Sequence, residues 1–198
     1  MQRTITHSRY IIHPFRFNLW IAIVTMIMMF AAFTSAYIVK KGNVSNWALT
    51  SLPQLFTYST IVIVASSVMM HIAYINFRKN NVYLYRVFIV ITTLLGATFL
   101  TMQIFAWMQW VDSGITLTSS IPGAFVYIIT GAHFVHVAGG VIALIIFSVK
   151  AFTSIKTPVD SVMQNLDPDK KVSVELMATY WHFVDFLWLY LFFFFQYA

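Results

Sequence analysis

The chain has 198 residues, of which 60% are hydrophobic and 9% are charged, and its formal net charge is +6. A soluble globular domain carries roughly 25% charged residues, so this composition excludes an ordinary soluble fold and indicates a small integral membrane protein. Cysteine is absent, which excludes disulfides, thiolate metal sites and c-type haem attachment. The basic residues lie in short segments between long uncharged runs, so we expect them to set membrane topology and expect no nucleic-acid binding.

Five apolar segments are long enough to cross a membrane. A transmembrane helix needs roughly 20 mainly apolar residues, because the hydrocarbon layer is about 30 Å thick and each helical residue rises about 1.5 Å. We therefore predict an all-α, polytopic bundle of five transmembrane helices that forms a single membrane domain over residues 1–198. In chain order the predicted helices cover about 17–39, 55–77, 87–110, 122–149 and 176–197. The connection 151–175 is polar and contains prolines, which predicts a loop.

The distribution of Lys and Arg predicts the orientation of these helices. Every basic residue except Lys40 and Lys41 lies before the first segment, between the second and third, or between the fourth and fifth. Cytoplasmic loops carry an excess of Lys and Arg, so these three regions are predicted to be cytoplasmic. The N-terminus would then lie on the cytoplasmic side and the C-terminus outside, with 151–175 as a cytoplasmic loop.

A small set of ionisable or amide side chains falls inside the predicted helices. An ionisable group costs roughly 2.5 to 3.5 kcal/mol at the centre of a membrane helix, so each one needs a reason. Residues three apart are neighbours on a helix surface, which places His133 beside His136 and His182 beside Asp185. The full set is His71, Gln103, His133, His136, His182 and Asp185.

Depth in the membrane indicates which of these groups could meet. Counted from the cytoplasmic ends, Asp185 lies about 15 Å deep, His136 about 21 Å and His133 about 25 Å. Small residues around His136 predict a close packing face, and they are Ala132, Gly139 and Ala143. We therefore predict that His136 or His182 satisfies Asp185, and that His133, His136, His182 and Asp185 form a structural polar network inside the bundle.

Two other interpretations of the same residues stay open. His71, His133, His136 or His182 could ligate haem in a membrane cytochrome, although that site needs two opposed imidazoles at one depth. Asp185 with His136 could be the centre of a proton-coupled carrier, although the sequence shows no inverted repeat or matched helix breaks. The single intramembrane carboxylate favours interhelical contacts over a catalytic metal site.

The fifth segment contains a recognisable run of residues. Tyr180, Trp181, His182, Phe183, Val184 and Asp185 are followed by Leu187, Trp188 and Leu189. This run resembles the closing-helix signature of subunit III of the haem-copper terminal oxidases, and Glu175 falls where that family has a glutamate. The fourth segment is similar to the family's threonine-glycine, two-histidine and glycine pattern through Thr130, Gly131, His133, His136 and Gly139.

The resemblance extends from about Arg16 to the end of the chain. Arg16 with Phe17, and Gln103 in the third segment, are also similar to family positions but are less specific. Longer members have seven helices, so this chain resembles the five-helix form that lacks the first two. Subunits of this form occur in several bacterial cytochrome oxidases and in quinol oxidases.

Membership of this family would imply a non-redox subunit III of an aa3-type cytochrome c oxidase, with a quinol oxidase as the alternative. The complex would lie in the bacterial cytoplasmic membrane and reduce dioxygen to water in an aerobic respiratory chain. Subunit III would carry no active site, metal or cofactor. Haem a and copper would belong to partner subunits, with subunit I as the main contact and subunit II, small subunits or a respiratory supercomplex as further partners. The chain would bind phospholipid and support assembly and sustained proton uptake.

Two positions depart from the family pattern. The carboxylate that many members carry in the corresponding first helix falls at Met26, and a second acidic position falls at Ala106. Any proton-related role of those carboxylates is therefore not expected in this chain. Asp185 is the remaining carboxylate predicted to lie inside the membrane.

Overall fold

The computed structural model describes residues 14–44, 47, 52–153 and 168–197, with the side chains of 168–170 left aside. The described residues form five α-helices: α1 (Pro14–Asn43), α2 (Gln54–Arg78), α3 (Val82–Asp112), α4 (Ile121–Thr153) and α5 (Pro168–Tyr197). All five are long and apolar enough to span a membrane. The predicted all-α, five-helix fold is confirmed.

Each helix contains its predicted span; the first four extend beyond it at both ends, and α5 extends beyond it at its start. Hydropathy marks the part of a helix that matches hydrocarbon, whereas the hydrogen-bonded backbone continues into the interface. The difference is largest at the predicted loop 151–175, because α4 runs on to Thr153 and α5 begins at Pro168. Proline suits the first helical position, where its missing N–H is not needed. The predicted loop is therefore too long, and its remaining residues 154–167 lie outside the described part of the chain.

The main helix contacts define a ring of four helices with one helix outside it. α2 packs against α3, α3 against α4, α4 against α5, and α5 against α2. α1 lies in the outer groove between α4 and α5. The buried residues of α1 follow one another at three- and four-residue spacing, which is a single helix face; they are Ile23, Met26, Phe30, Thr34 and Tyr37. α5 contacts three other helices and is the most buried of the five.

The indole of Trp181 fixes the approach of α3 and α4 to α5. A Cβ added at Gly96 of α3 would lie 2.8 Å from Trp181, and one added at Gly140 of α4 would lie 2.9 Å from the same indole. These two glycines therefore make room for a fully buried tryptophan. Gly139, which the sequence placed on a packing face, is exposed and has nothing within 4 Å of an added Cβ. That prediction is wrong for Gly139, because it is the neighbouring Gly140 that faces the Trp181 indole in the core.

Candidate functional site

Four hydroxyl side chains of α2 line its contact with α3 and α5. They are Ser59, Thr60, Ser66 and Ser67. The two pairs are separated by two helical turns and so lie on one face of α2. Trp181 and Trp188 have the same separation on α5. Trp188 Nε1 donates to Thr60 Oγ1 at 2.9 Å, and Trp181 Nε1 donates to Ser66 Oγ at 3.1 Å. We call this contact region the α2–α5 seam. It consists of the four α2 hydroxyls together with Trp181, His182, Asp185 and Trp188 of α5.

His182 is held by Ser67 of α2 rather than by Asp185. Its Nδ1 lies 2.7 Å from Ser67 Oγ, and its ring centroid is 5.9 Å from that of His71 on α2. His182 is half-buried and His71 is exposed. The predicted bond between His182 and Asp185 is therefore wrong, because a serine from the neighbouring helix takes the imidazole nitrogen.

Asp185 faces the interior of the bundle and is 2% exposed. The Ser67 hydroxyl lies beside its carboxyl group, but no hydrogen bond joins the two at this geometry. Neither carboxyl oxygen has a hydrogen-bond partner within the described ranges. Asp185 is thus buried, as its position on α5 predicts, but the predicted pairing with His136 or His182 is wrong.

The two histidines of α4 make separate contacts. His136 Nδ1 lies 2.7 Å from the carbonyl oxygen of Ala132 on its own helix, and the His136 carbonyl accepts from the Tyr180 hydroxyl at 2.9 Å. His133 is fully buried, and its ring stacks on Trp188 with centroids 5.1 Å apart. Neither ring nitrogen of His133 has a hydrogen-bond partner among the residues that the structure covers. The four predicted residues therefore do not form one hydrogen-bonded network.

The remaining positions identified from the sequence also connect helices. Gln103 is buried, and its Nε2 donates to Ser59 Oγ at 3.1 Å, which joins α3 to the seam. Arg16 and Glu175 form an ion pair of 2.8 Å between α1 and α5. Met26 and Ala106 are both buried. At the two positions where the resemblance led us to expect carboxylates, this bundle therefore has buried apolar side chains.

Sequence reasoning missed the hydroxyl groups of α2 and the two glycines beside Trp181. A signal for the hydroxyls was present, since α2 repeats a pair of hydroxyl residues at the same spacing as the tryptophans of α5. Polar side chains in membrane helices commonly hydrogen bond across to a neighbouring helix. The seam could have been predicted by comparing the two spacings.

The arrangement can hold helices together and can pass protons between hydrogen-bonding groups. Within the described part of the chain, no group of three or more His, Cys, Asp or Glu residues could hold a metal ion. His71 and His182 approach each other, but a catalytic metal site generally needs three protein ligands. The chemistry that these residues offer is therefore hydrogen bonding and proton transfer.

Comparison with known proteins identifies relatives that match most of the chain. A family model described as cytochrome c oxidase subunit III matches residues 3–198. A probable cytochrome c oxidase subunit 3 of Nocardia farcinica is 33% identical over 170 residues, which cover 84% of this chain and 79% of that protein. A cytochrome c oxidase subunit 3 of Thermostichus vulcanus is 26% identical over 185 residues, covering 91% and 86%. A probable quinol oxidase subunit 3 of Staphylococcus saprophyticus is 28% identical over 144 residues, covering 73% and 66%.

Proposed function

Since the chain belongs to the cytochrome c oxidase subunit III family, we propose that it is the non-redox subunit III of an aa3-type cytochrome c oxidase in an aerobic respiratory chain. The chain is a subunit of a haem-copper terminal oxidase and a multi-pass protein of the bacterial cytoplasmic membrane. Its proposed role is structural: it supports assembly of the complex and sustained proton uptake by the catalytic subunit. The reaction would be the reduction of dioxygen to water.

The use of the α5 signature residues in packing carries this proposal. Trp181, His182 and Trp188 all bond to hydroxyls of α2. Indole and imidazole groups that bond to a neighbouring helix stabilise that contact and are less free to serve a cofactor. This supports a subunit whose rigid bundle presents a surface to its partners, with haem a and copper held in subunits I and II.

Cytochrome c is the proposed electron donor. The relatives from Nocardia farcinica and Thermostichus vulcanus are named as cytochrome c oxidase subunits, and the Nocardia protein is the most identical of the three compared above. The quinol oxidase subunit of Staphylococcus saprophyticus supports the alternative donor. The donor is determined by other subunits, so purification of the complex distinguishes these two cases.

The proposed orientation has the N-terminus in the cytoplasm and the C-terminus outside. Among the described residues, five helix ends carrying basic side chains come together at one end of the bundle; these side chains are Arg16, Arg78, Lys79, Arg86, Lys150 and Lys171. Arg86 Nε donates to the Ala151 carbonyl oxygen at 2.9 Å, which ties α3 to the end of α4. The opposite end carries Lys40 and Lys41, so the excess positive charge supports a cytoplasmic position for the first end.

Phospholipid is a further proposed partner. α1 lies outside the ring of four helices and exposes large apolar side chains along its outer face; among them are Trp20, Val24, Ile27 and Met28. Such a surface needs acyl chains or a partner subunit against it. Lipid in contact with α1 would fill the space between this bundle and the catalytic subunit.

Purification from the native membrane tests the proposed function. The chain, tagged at its N-terminus, is extracted in mild detergent, and the proteins that accompany it are identified by mass spectrometry. We expect a large histidine-rich oxidase subunit and a copper-binding subunit II. Recovery of the chain alone, while other respiratory complexes remain whole, would contradict the proposal. Deletion of the chain should leave the haem spectrum of the membrane largely unchanged while oxidase activity decays faster during turnover.

A further inference from the structure

A series of four polar side chains leads from the surface of the bundle to its buried carboxyl group. His71 of α2 is exposed, His182 and Ser67 are half-buried, and Asp185 is buried. We propose that His71, His182, Ser67 and Asp185 form a proton path through which Asp185 exchanges protons with the surface of the bundle. The inference rests on these contacts and does not depend on the electron donor or the type of oxidase.

The outer half of the path consists of two imidazoles. The ring centroids of His71 and His182 are 5.9 Å apart, a distance that one bridging water can span between ring nitrogens. An imidazole has its two nitrogens on opposite edges of the ring, so it can accept a proton on one edge and release one from the other. His182 is placed to do this because its Nδ1 already lies 2.7 Å from Ser67 Oγ.

The inner half of the path joins Ser67 to Asp185. The Ser67 hydroxyl contacts His182 and lies beside the Asp185 carboxyl group. A hydroxyl can accept one hydrogen bond while it donates another, so a small rotation about the Ser67 side chain would connect the two groups. Serine therefore links the imidazole to a carboxyl that the imidazole itself does not reach.

Proton transfer along this path balances without any other reactant. A proton from His71 is taken up at Nε2 of His182, and the proton on Nδ1 of His182 passes to Ser67 Oγ. Ser67 releases its own hydroxyl proton to a carboxylate oxygen of Asp185. His71 and Asp185 end neutral, His182 ends as the other neutral tautomer, and the reverse steps restore the starting state.

The path runs from the outer side of the bundle towards the middle of the membrane. His71 lies two turns before Arg78, the last residue of α2, and thus about 10 Å from the basic end of the bundle. Asp185 lies about 21 Å from Lys171 along α5, which is near the middle of a span of about 30 Å. The path therefore begins about 10 Å from the basic end of the bundle and ends near the middle of the span.

The unpaired state of Asp185 distinguishes a proton path from a structural contact. Buried polar groups in folded proteins are nearly always hydrogen bonded, and an ionisable residue inside a membrane indicates a function. Neither Asp185 carboxyl oxygen bonds to a titratable group of the described helices, and the ring nitrogens of fully buried His133 are also without a partner there. Arg16 pairs with Glu175, His136 contacts the Ala132 carbonyl, and His133 stacks on Trp188; these contacts are separate from the carboxyl group.

Infrared spectroscopy of the purified complex tests the proposal directly. The C=O stretching band of the protonated Asp185 carboxyl is assigned by its loss in Asp185→Asn and its displacement in Asp185→Glu. The complex is then moved from H₂O to D₂O, and the rate at which the band shifts is measured. We expect His71→Phe and Ser67→Ala each to slow this exchange by about tenfold or more, because each removes a proton carrier.

His136→Phe is the control, since His136 is half-buried like His182 but lies outside the path. It should leave the exchange rate unchanged. Co-purification of the partner subunits verifies that each variant is folded, and Asp185→Glu assigns the band if Asp185→Asn does not accumulate. Unchanged exchange in either His71→Phe or Ser67→Ala would overturn the proposal. So would the absence of a protonated carboxyl band that responds to Asp185→Glu.

Discussion

Trp181 shows how one side chain sets the distances between three helices. Its indole is fully buried, donates to Ser66 on α2 and lies against glycines of α3 and α4. In a membrane, association between helices depends on close packing and interhelical hydrogen bonds, since lipid is as apolar as the core. A single residue of α5 supplies both contributions.

The close approach at Gly96 leads to a prediction about stability. Gly96→Ala would place a Cβ 2.8 Å from the Trp181 indole, which is too close for any real contact. We expect the free energy of unfolding to fall by about 1 to 3 kcal/mol, as is typical of overpacked cores. Unfolding of the purified complex in a graded series of sodium dodecyl sulfate concentrations measures this change.

Gly139→Ala is the control for that experiment. An alanine Cβ meets nothing within 4 Å at this position, and alanine favours helix by up to about 1 kcal/mol over glycine. Gly139→Ala should therefore be neutral or slightly stabilising. Equal loss of stability in the two variants would show that the Trp181 packing does not determine the effect.

The residue scale also shows what the sequence could predict and what it could not. The burial of Asp185 follows from its position in an apolar helix, because a carboxyl group avoids lipid. Its neighbours could not be predicted, because spacing along one helix does not define how the next helix is rotated. His182 bonds to Ser67 and not to Asp185 as expected, and Ser67 lies on α2, which is distant from α5 in the sequence.

At the scale of helices, α1 differs from the other four in how it is attached. It packs against α4 and α5 with one face and is fixed near its two ends by polar contacts. Arg16 pairs with Glu175 at one end, and towards the other Thr34 accepts from the Tyr190 hydroxyl at 3.1 Å. We therefore expect α1 to open more readily than the helices of the ring.

The ion pair gives a test of this attachment. Arg16→Glu should increase hydrogen exchange at the start of α1, by about fivefold or less, because exposed ion pairs contribute about 0 to 1 kcal/mol. Exchange in α2, α3 and α4 should be unchanged. The double variant Arg16→Glu with Glu175→Arg restores the pair with reversed charges and should restore protection. Protection that stays low in the double variant would mean that another contact of Arg16 holds α1.

The part of each helix that lies in the hydrocarbon layer could be predicted from the sequence. The part that lies in the membrane interface could not. All five predicted spans lie within observed helices, since roughly 20 apolar residues suffice for one crossing. The start of α5 at Pro168 lies in a polar stretch that hydropathy excludes. Its helical state depends on proline at the first position and on continuation into the apolar region, which are local effects outside a hydropathy window.

At the scale of the whole molecule, the ring of four helices is held by hydrogen bonds that converge on α2 and α5. Gln103, Trp181, His182 and Trp188 all bond to hydroxyls of α2. The family resemblance identified the α5 residues but not the helix that receives them. The proposed proton path uses the same seam, so packing and proton transfer share one contact between helices.

The absence of cysteine allows the orientation of the whole molecule to be tested without a background signal. Lys40→Cys and Lys150→Cys each replace an exposed lysine at opposite ends of the bundle. With the proposed orientation, a membrane-impermeant maleimide added to cells without their wall should label Lys40→Cys. It should label Lys150→Cys only after the membrane has been permeabilised. Phe186→Cys, on the exposed face within α5, should stay unlabelled because maleimides need water. The opposite pattern would place the basic end outside the cell. Since His71 lies towards that same end, the result also shows which side of the membrane the proposed proton path faces.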